Sequence, residues 1–240
     1  MITKQHTDMA KSDLNQADLQ KEEKLREERV EQRVSAVEKF FNENKKLIWG
    51  VLGAIVVIGL AVLAYHKFYV QPRKAEAQEQ MFPAEASFRA GEYEIALNGD
   101  GNNLGFAEIA KEYGAKAGKD VYLYAGICAL QLGSYDDAVS YLKKYDGKDD
   151  ILAAKALSCE GDAYVGLENY KEALSCYDKA AAQIDNVFAA SYLLKAGQVC
   201  EKLGDKEKAL TYYKKIKENY PNSTEGFEID KYISRIEYAE

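Results

Sequence analysis

The chain has few residues that interrupt helices and few that carry out chemistry. It holds only three prolines in 240 residues, and β-branched residues are sparse outside one apolar run. Since proline breaks helices, its scarcity favours an all-helical fold. The two histidines, His6 and His66, lie outside the C-terminal part, which therefore lacks the commonest general base and metal ligand.

Catalytic and cofactor motifs are also missing. The sequence contains no GxSxG nucleophile motif and no GxxxxGK phosphate loop, and its carboxylates are scattered. The loop 98–109 has Asn103 at position six and Ile109 at position twelve, where a calcium loop needs Gly and Glu. We therefore predict a protein that is not an enzyme and that binds no cofactor and no metal.

The four cysteines, Cys128, Cys159, Cys176 and Cys200, show no CxxC spacing and lie within helical patterns. Small buried thiols are the interpretation that this placement favours. A disulfide between Cys159 and Cys176 is the alternative in an oxidising compartment, and sequence spacing does not decide between the two.

The C-terminal part is acidic. Residues 81–240 hold 19 Lys and Arg against 27 Asp and Glu, without a basic stripe. Because phosphate neutralisation supplies most nucleic-acid affinity, this charge excludes a nucleic-acid-binding function.

One apolar run stands out, from Leu47 to Tyr65, with no charge, Asn, Gln or Pro. At a rise of about 1.5 Å per residue it spans roughly 28 Å, close to the hydrocarbon thickness of a bilayer. We predict a retained transmembrane helix at 47–65, in preference to a buried globular helix or a cleaved signal peptide.

Flanking charges predict the orientation of that helix. Five basic residues precede the run within twenty positions and three follow it, which favours a cytoplasmic N-terminus. The expected localisation is a single-pass inner-membrane protein with its C-terminal domain in the periplasm. The basic residues are Arg29, Arg33, Lys39, Lys45 and Lys46 before the run, and Lys67, Arg73 and Lys74 after it.

Residues 1–46 form a charged tail that is predicted to be cytoplasmic and partly helical. Val30, Val34, Val37 and Phe41 recur at helical spacing and lead into the apolar run. Two interpretations stay open, a helix that docks on a partner and a solvated extension of the span. After the span, residues 66–79 are predicted to form a juxtamembrane linker or helix.

The remainder of the chain repeats itself. Three aligned segments begin at Gly126, Gly161 and Gly197, at intervals of 35 and 36 residues. Each Gly lies twelve residues before an Ala, and four residues after that Ala comes a Leu or Tyr. A period of this length predicts a solenoid of helix-turn-helix pairs, in which the small residues let two helices approach closely.

These segments resemble the tetratricopeptide repeat family. The second unit carries the family's pattern of small, aromatic and Ala positions, and the first and third units depart from it at Ala129, Cys200 and Lys206. The resemblance implies a degenerate repeat with an inserted loop at 80–120, three repeats at 121–222 and a capping helix at 223–240. The second unit's matching residues are Gly161, Tyr164, Tyr170, Ala173, Tyr177 and Ala180.

In that family the first helix of each pair lines a protein-binding groove. The resemblance implies twelve groove positions here, apolar in the first unit and mixed later. A groove for extended apolar segments is one interpretation, and burial of the first unit's apolar face under the displaced early helix is the other. The positions are Leu123, Ile127, Leu130, Gln131, Lys155, Ser158, Asp162, Val165, Leu194, Gln198, Glu201 and Lys202.

The whole layout is similar to that of the single-pass ancillary subunits of the Sec translocon, which are periplasmic adaptor proteins. This resemblance implies that the partners are translocon subunits, periplasmic chaperones and segments of secreted proteins. Two alternatives stay open. One is a docking receptor that presents its repeats to the cytosol, and the other is a structural scaffold of an envelope complex.

Overall fold

The computed structural model describes residues 39–41 and 43–238. Throughout those residues the regular structure is helical, without a strand. The chain divides into two compact units, Met1–His66 and Lys67–Glu240. Most of the predicted helical stripe of the tail lies outside the described residues, and only Phe41 falls within them.

The first unit contains helix α1, Lys45–Tyr65, in which no residue is buried. Among the described residues, one helical run, Lys45–Arg89, is long and apolar enough to cross a membrane. Its most apolar 18-residue window has a mean hydropathy of 2.7, and none of that window is buried in the structure.

The second unit begins at Lys67, within the π-helical turn His66–Val70, and continues into helix α2, Gln71–Arg89. Pro72 lies in the first turn of α2, where its missing N–H costs nothing, whereas Pro83 lies in the interior. Gly91 follows the helix at a φ of +78°, the left-handed conformation that glycine adopts most easily at a helix C-terminus.

Three short elements follow α2 and pack with it around one aromatic core. The fully buried Phe106 stacks on Tyr124 with their ring centroids 5.2 Å apart, and Phe88 meets both rings edge-on. The ring of Phe88 also meets Tyr93, from the segment that resembles a degenerate repeat. The elements are α3 (Tyr93–Asn98), α4 (Phe106–Glu112) and a 3₁₀ turn (Gly114–Ala117).

Three helix pairs and a final helix complete the unit. Each helix packs mainly on its neighbours in sequence, as in a solenoid. The pairs are α5 (Asp120–Gln131) with α6 (Tyr135–Leu142), α7 (Asp150–Gly166) with α8 (Tyr170–Gln183), and α9 (Phe188–Lys202) with α10 (Lys206–Asn219); the final helix is α11 (Thr224–Glu237).

The repeated glycines allow the close approach within each pair. A Cβ atom at Gly161 would lie 2.6 Å from Cε1 of Tyr177, and one at Gly197 would collide with the Tyr213 ring in the same way. In the first pair Leu142 takes the place of the tyrosine against its own glycine. The larger side chain therefore fills the space that the missing Cβ leaves free.

All four cysteines are free and buried in the structure. Burial raises the pKa of Cys128 and of Cys176 to about 12, and that of Cys200 to about 11. The thiols therefore act as small packing residues, and Cys159 and Cys176 do not form the disulfide that stayed open as an alternative.

Helix α11 covers the last pair with three isoleucines. Ile229, Ile233 and Ile236 are buried against α10, and the Ser223 hydroxyl caps the helix by accepting a hydrogen bond from the N–H of Gly226 at 2.9 Å. Phe227, in the first turn of the same helix, is 76% exposed.

Candidate protein-binding cleft

A cleft of about 700 Å³ lies between α7, α9 and α11, and two tyrosines of α8 complete its lining. Its walls combine tyrosine and valine side chains with five charged groups, so it is neither an apolar groove nor a purely ionic site. The charged groups are Asp162, Lys195, Glu201, Lys202 and Arg235, and the apolar walls are Val165, Tyr170, Tyr177, Val199 and Tyr232.

Asp162 anchors one wall of the cleft. Its two carboxylate oxygens accept hydrogen bonds from Lys195 Nζ at 2.8 and 2.7 Å, and the Tyr177 hydroxyl donates to Oδ1 at 2.7 Å. Lys195 also donates to the buried hydroxyl of Ser158 at 3.2 Å and lies 5.7 Å from the centre of the Tyr177 ring. Burial, and then the Asp162 charge, raise the pKa of Tyr177, so its hydroxyl stays a donor.

Glu201, a second carboxylate of the cleft wall, is held in the same way as Asp162. Its Oε1 accepts a hydrogen bond from the Tyr213 hydroxyl at 2.5 Å and from the Arg235 guanidinium at 2.6 Å. Arg235 also lies 5.1 Å from the centre of the Tyr232 ring. Burial, and then the hydrogen bond to Glu201, raise the pKa of Tyr213. Each carboxylate thus lies between a tyrosine hydroxyl and a cation.

The repeats that carry these walls can be compared with known proteins. Residues 152–222 match the tetratricopeptide repeat family. The chain therefore contains tetratricopeptide-type helical repeats, as the 35- and 36-residue intervals predict. A comparison with curated proteins finds no match.

Two solved structures share the tetratricopeptide arrangement. A crystal structure of MamA is 20% identical with a TM-score of 0.51, and covers 63% of this chain and 82% of its own. A crystal structure described as MamA protein is 19% identical with a TM-score of 0.53, and covers 67% and 82%. At these identities the likeness shows the fold alone.

The structure brings five of the twelve predicted groove residues to the cleft between these tetratricopeptide helices: Asp162, Val165, Gln198, Glu201 and Lys202. Ser158 does not line the cleft. It is buried, and its hydroxyl accepts a hydrogen bond from the cleft residue Lys195. Lys155 is exposed and Leu194 is half-buried, and neither lines the cleft.

The four positions in the first tetratricopeptide unit lie elsewhere. Leu123 is buried in the aromatic core around Phe106, and Ile127 and Leu130 pack against the same core half-buried. Gln131 is exposed at the end of α5. Of the two interpretations of this apolar face, the structure therefore shows burial for Leu123.

Sequence reasoning missed the two cations that define the cleft walls. Lys195 lies 33 residues after Asp162, and Arg235 lies 34 residues after Glu201. Opposite charges about one repeat apart meet on adjacent helices of a solenoid, so this spacing is the signal that could have identified both pairs.

A second cavity of about 630 Å³ lies among α3, α4, α5 and α6, away from the predicted groove positions. Lys111 and Lys144 stand at its rim with Glu108, and the half-buried rings of Tyr122 and Tyr141 line it. Within the part of the chain that the structure describes, no group of three or more His, Cys, Asp or Glu could hold a metal ion.

Proposed function

We propose that the protein is a membrane-anchored tetratricopeptide interaction module that binds a segment of a partner protein in the cleft between α7, α9 and α11. The observation that carries the proposal is the pair of anchored carboxylates in the cleft, Asp162 and Glu201, each held by a tyrosine and a cation. Fixed polar groups beside aromatic walls suit an extended peptide, whose backbone needs hydrogen-bond partners.

The cleft favours a polar or amphipathic segment over the purely apolar one that the sequence also suggested. Lys195 and Arg235 are neutralised by their carboxylates, whereas Lys202 forms no ion pair within the described residues. Together with the exposed amide of Gln198, Lys202 offers donors to acidic or carbonyl groups of a ligand.

We further propose that α1 crosses the inner membrane with its N-terminus in the cytoplasm, which places the repeats in the periplasm. The length and hydropathy of the apolar helix and the five-to-three excess of basic residues before it support this orientation. The test is protease protection of a C-terminal epitope in intact spheroplasts, with lysed cells as the control. Digestion from outside supports the orientation, and protection would favour a cytosolic docking receptor.

For the partner, we propose the protein-export channel and the periplasmic chaperones that receive its substrates. The layout of charged tail, single apolar helix and acidic repeat domain supports this choice, because it is similar to that of ancillary translocon subunits.

A photo-crosslinking amino acid at Gln198 tests both the cleft and the partner in intact cells. We expect adducts with a translocon subunit, a chaperone or a secreted protein. A matched probe at Ser175, which is exposed on α8 and does not line the cleft, should give none of them. Equal labelling from the two positions would contradict binding of the partner in the cleft. Adducts with other envelope proteins alone would favour a structural scaffold.

A further inference from the structure

Cations and tyrosine rings gather at the beginning of the second unit, directly after the apolar helix. Arg73 lies between two rings, 5.9 Å from the centre of Tyr69 and 6.0 Å from that of Tyr113, and Lys116 Nζ lies 5.3 Å from the centre of Tyr69. Lys67 lies 6.0 Å from the ring centre of its neighbour Phe68. We call Lys67, Tyr69, Arg73, Tyr113 and Lys116 the basic–aromatic cluster.

Two separate stretches of chain build this cluster. Lys67 and Tyr69 lie in the π-helical turn His66–Val70, a kind of helix irregularity that often marks functional sites. Lys116 comes from the 3₁₀ turn that follows α4, and the Gln78 amide fixes that turn by donating to the Ala117 carbonyl at 2.8 Å. The repeat domain therefore brings one of its own cations, Lys116, to the Tyr69 ring in the turn.

The cations of the cluster are available to an external anion. Within the described residues, Lys67, Arg73 and Lys116 form no ion pair. Burial, and then the neighbouring carboxylates Glu76 and Glu112, raise the pKa of Tyr113. Ring faces hold the guanidinium and ammonium groups without neutralising their charge.

The position of the cluster along the chain indicates which anion it meets. Positions 67–73 follow Tyr65, the last residue of the apolar run, by two to eight residues, which corresponds to roughly 3–12 Å of helix at a rise of about 1.5 Å per residue. The headgroup layer of a bilayer is about 5–8 Å deep on each side, and long cationic side chains extend along it. Aromatic rings with a polar tip favour the same layer.

We infer that the basic–aromatic cluster binds phosphate groups of anionic phospholipids and thereby seats the repeat domain on the membrane surface. The inference rests on the proposed membrane anchor, and it adds a contact that the apolar helix alone does not provide. Free inorganic phosphate has the same recognition chemistry, so the test includes it separately.

The test uses the full chain in lipid nanodiscs. The backbone amides of residues 113–119 are followed by hydrogen–deuterium exchange, in pure phosphatidylcholine and in phosphatidylcholine with phosphatidylglycerol at a ratio of 7:3. Because each cation close to an anionic surface gains attraction, we expect exchange to slow by about fivefold in the anionic discs. No difference between the two lipid compositions would overturn the inference.

Variants separate the cluster from general charge. R73Q/K116Q should lose the slowing, and K67Q, which removes an exposed lysine of the cluster that buries nothing, should reduce it. K171Q/K231Q removes two exposed lysines of the repeats and should keep it. If the control variant loses the slowing equally, the effect is net charge and the inference is wrong.

Two further arms distinguish the sources of failure. Inorganic phosphate added to the phosphatidylcholine discs should leave exchange unchanged, and equal slowing there would overturn the assignment to lipid. Carbonate extraction of native membranes tests the anchor on its own. Release of the chain by carbonate would contradict the proposed membrane anchor. If the chain is retained but its hydrogen–deuterium exchange does not depend on the lipid, only the proposed phospholipid binding by the cluster is contradicted.

Discussion

Helices α2–α6 pack around one continuous hydrophobic cluster that extends into α7, whereas helices α7–α11 share three smaller clusters within the described residues. The first cluster is filled by large rings, among them Phe106, Phe88 and Tyr124. The smaller ones rely on alanine and on tyrosines that lie against glycine, such as Tyr177 and Tyr213.

This difference follows from the regularity of the chain. Where the repeat interval is kept, a glycine and an alanine on paired helices leave a space of fixed shape for one tyrosine, and its hydroxyl reaches a cleft carboxylate. Around the loop 99–105 the elements are short and follow no such interval, and aromatic side chains from three helices fill the core instead. The regular half, helices α7–α11, therefore forms the cleft. In the irregular half, helices α2–α6, the apolar face of α5 is buried in the core.

The largest effect that we predict comes from removing a buried ring from the core of the irregular half. Phe106→Ala deletes a fully buried side chain that contacts two other rings, so we expect the free energy of unfolding to fall by about 3–5 kcal/mol. Urea unfolding in detergent measures it. Phe82→Ala removes a ring that is 68% exposed and should change stability by less than about 0.5 kcal/mol. Equal losses in both variants would contradict a core centred on Phe106.

In the regular half the corresponding test adds a methyl group at a glycine where two helices pack closely. Gly161→Ala places a methyl group 2.6 Å from Tyr177 Cε1, and we expect a loss of about 1–3 kcal/mol from overpacking. In a Tyr177→Ala background the same change should cost less than about 0.5 kcal/mol, since the colliding ring is gone. An unchanged cost in that background would show that the glycine serves another purpose.

Alkaline pH probes thiols in both halves. The ordinary thiol pKa is 9.0, and in the fold it rises to about 12 for Cys128 and Cys176 and to about 11 for Cys200. Above pH 9 the unfolded chain therefore releases protons that the folded chain retains, so stability present below that pH is lost as pH rises toward 12. We expect each thiol to contribute about 1 kcal/mol of this loss by pH 10.

Cys128→Ala isolates that effect in the irregular half. The difference in unfolding free energy between wild type and variant should shrink from pH 8 to pH 10, because the variant has one fewer proton to lose on unfolding. Tyrosine ionisation affects both proteins alike and cancels in the comparison. A pH-independent difference would mean that the thiol is ionised or exposed in the fold.

The two halves also differ in how far the sequence predicts them. The interval between Gly161 and Gly197 predicts the helix pairs and the large side chains beside the glycines. The resemblance to the tetratricopeptide repeat family implies the groove positions, five of which line the cleft. The stack of Phe88, Phe106 and Tyr124 joins three helices at no regular spacing, so periodicity gives no sign of it.

The charged residues of the cleft are only partly predictable from the sequence. The prediction takes its groove positions from the first helix of each pair, and so identifies Asp162 and Glu201 but not the cations that hold them. The predicted groove positions do not include Lys195, although it lies on α9. Arg235 lies on the capping helix α11, which the family pattern does not treat as part of a groove. Both pairings depend on the distance between adjacent helices, which a single repeat does not specify.

The smallest effect that we predict compares a cleft ion pair with a surface one. Lys195→Gln removes a half-buried cation from Asp162, Ser158 and the face of Tyr177, so we expect a loss of about 1 kcal/mol. Lys217→Gln breaks an equally short contact, 2.7 Å to Asp230, but both groups are largely exposed and solvent screens them, so no measurable change is expected. Thermal unfolding in low and in moderate salt checks both. If the two variants lose the same stability, the Asp162 wall is an ordinary surface pair and not a preorganised part of the cleft.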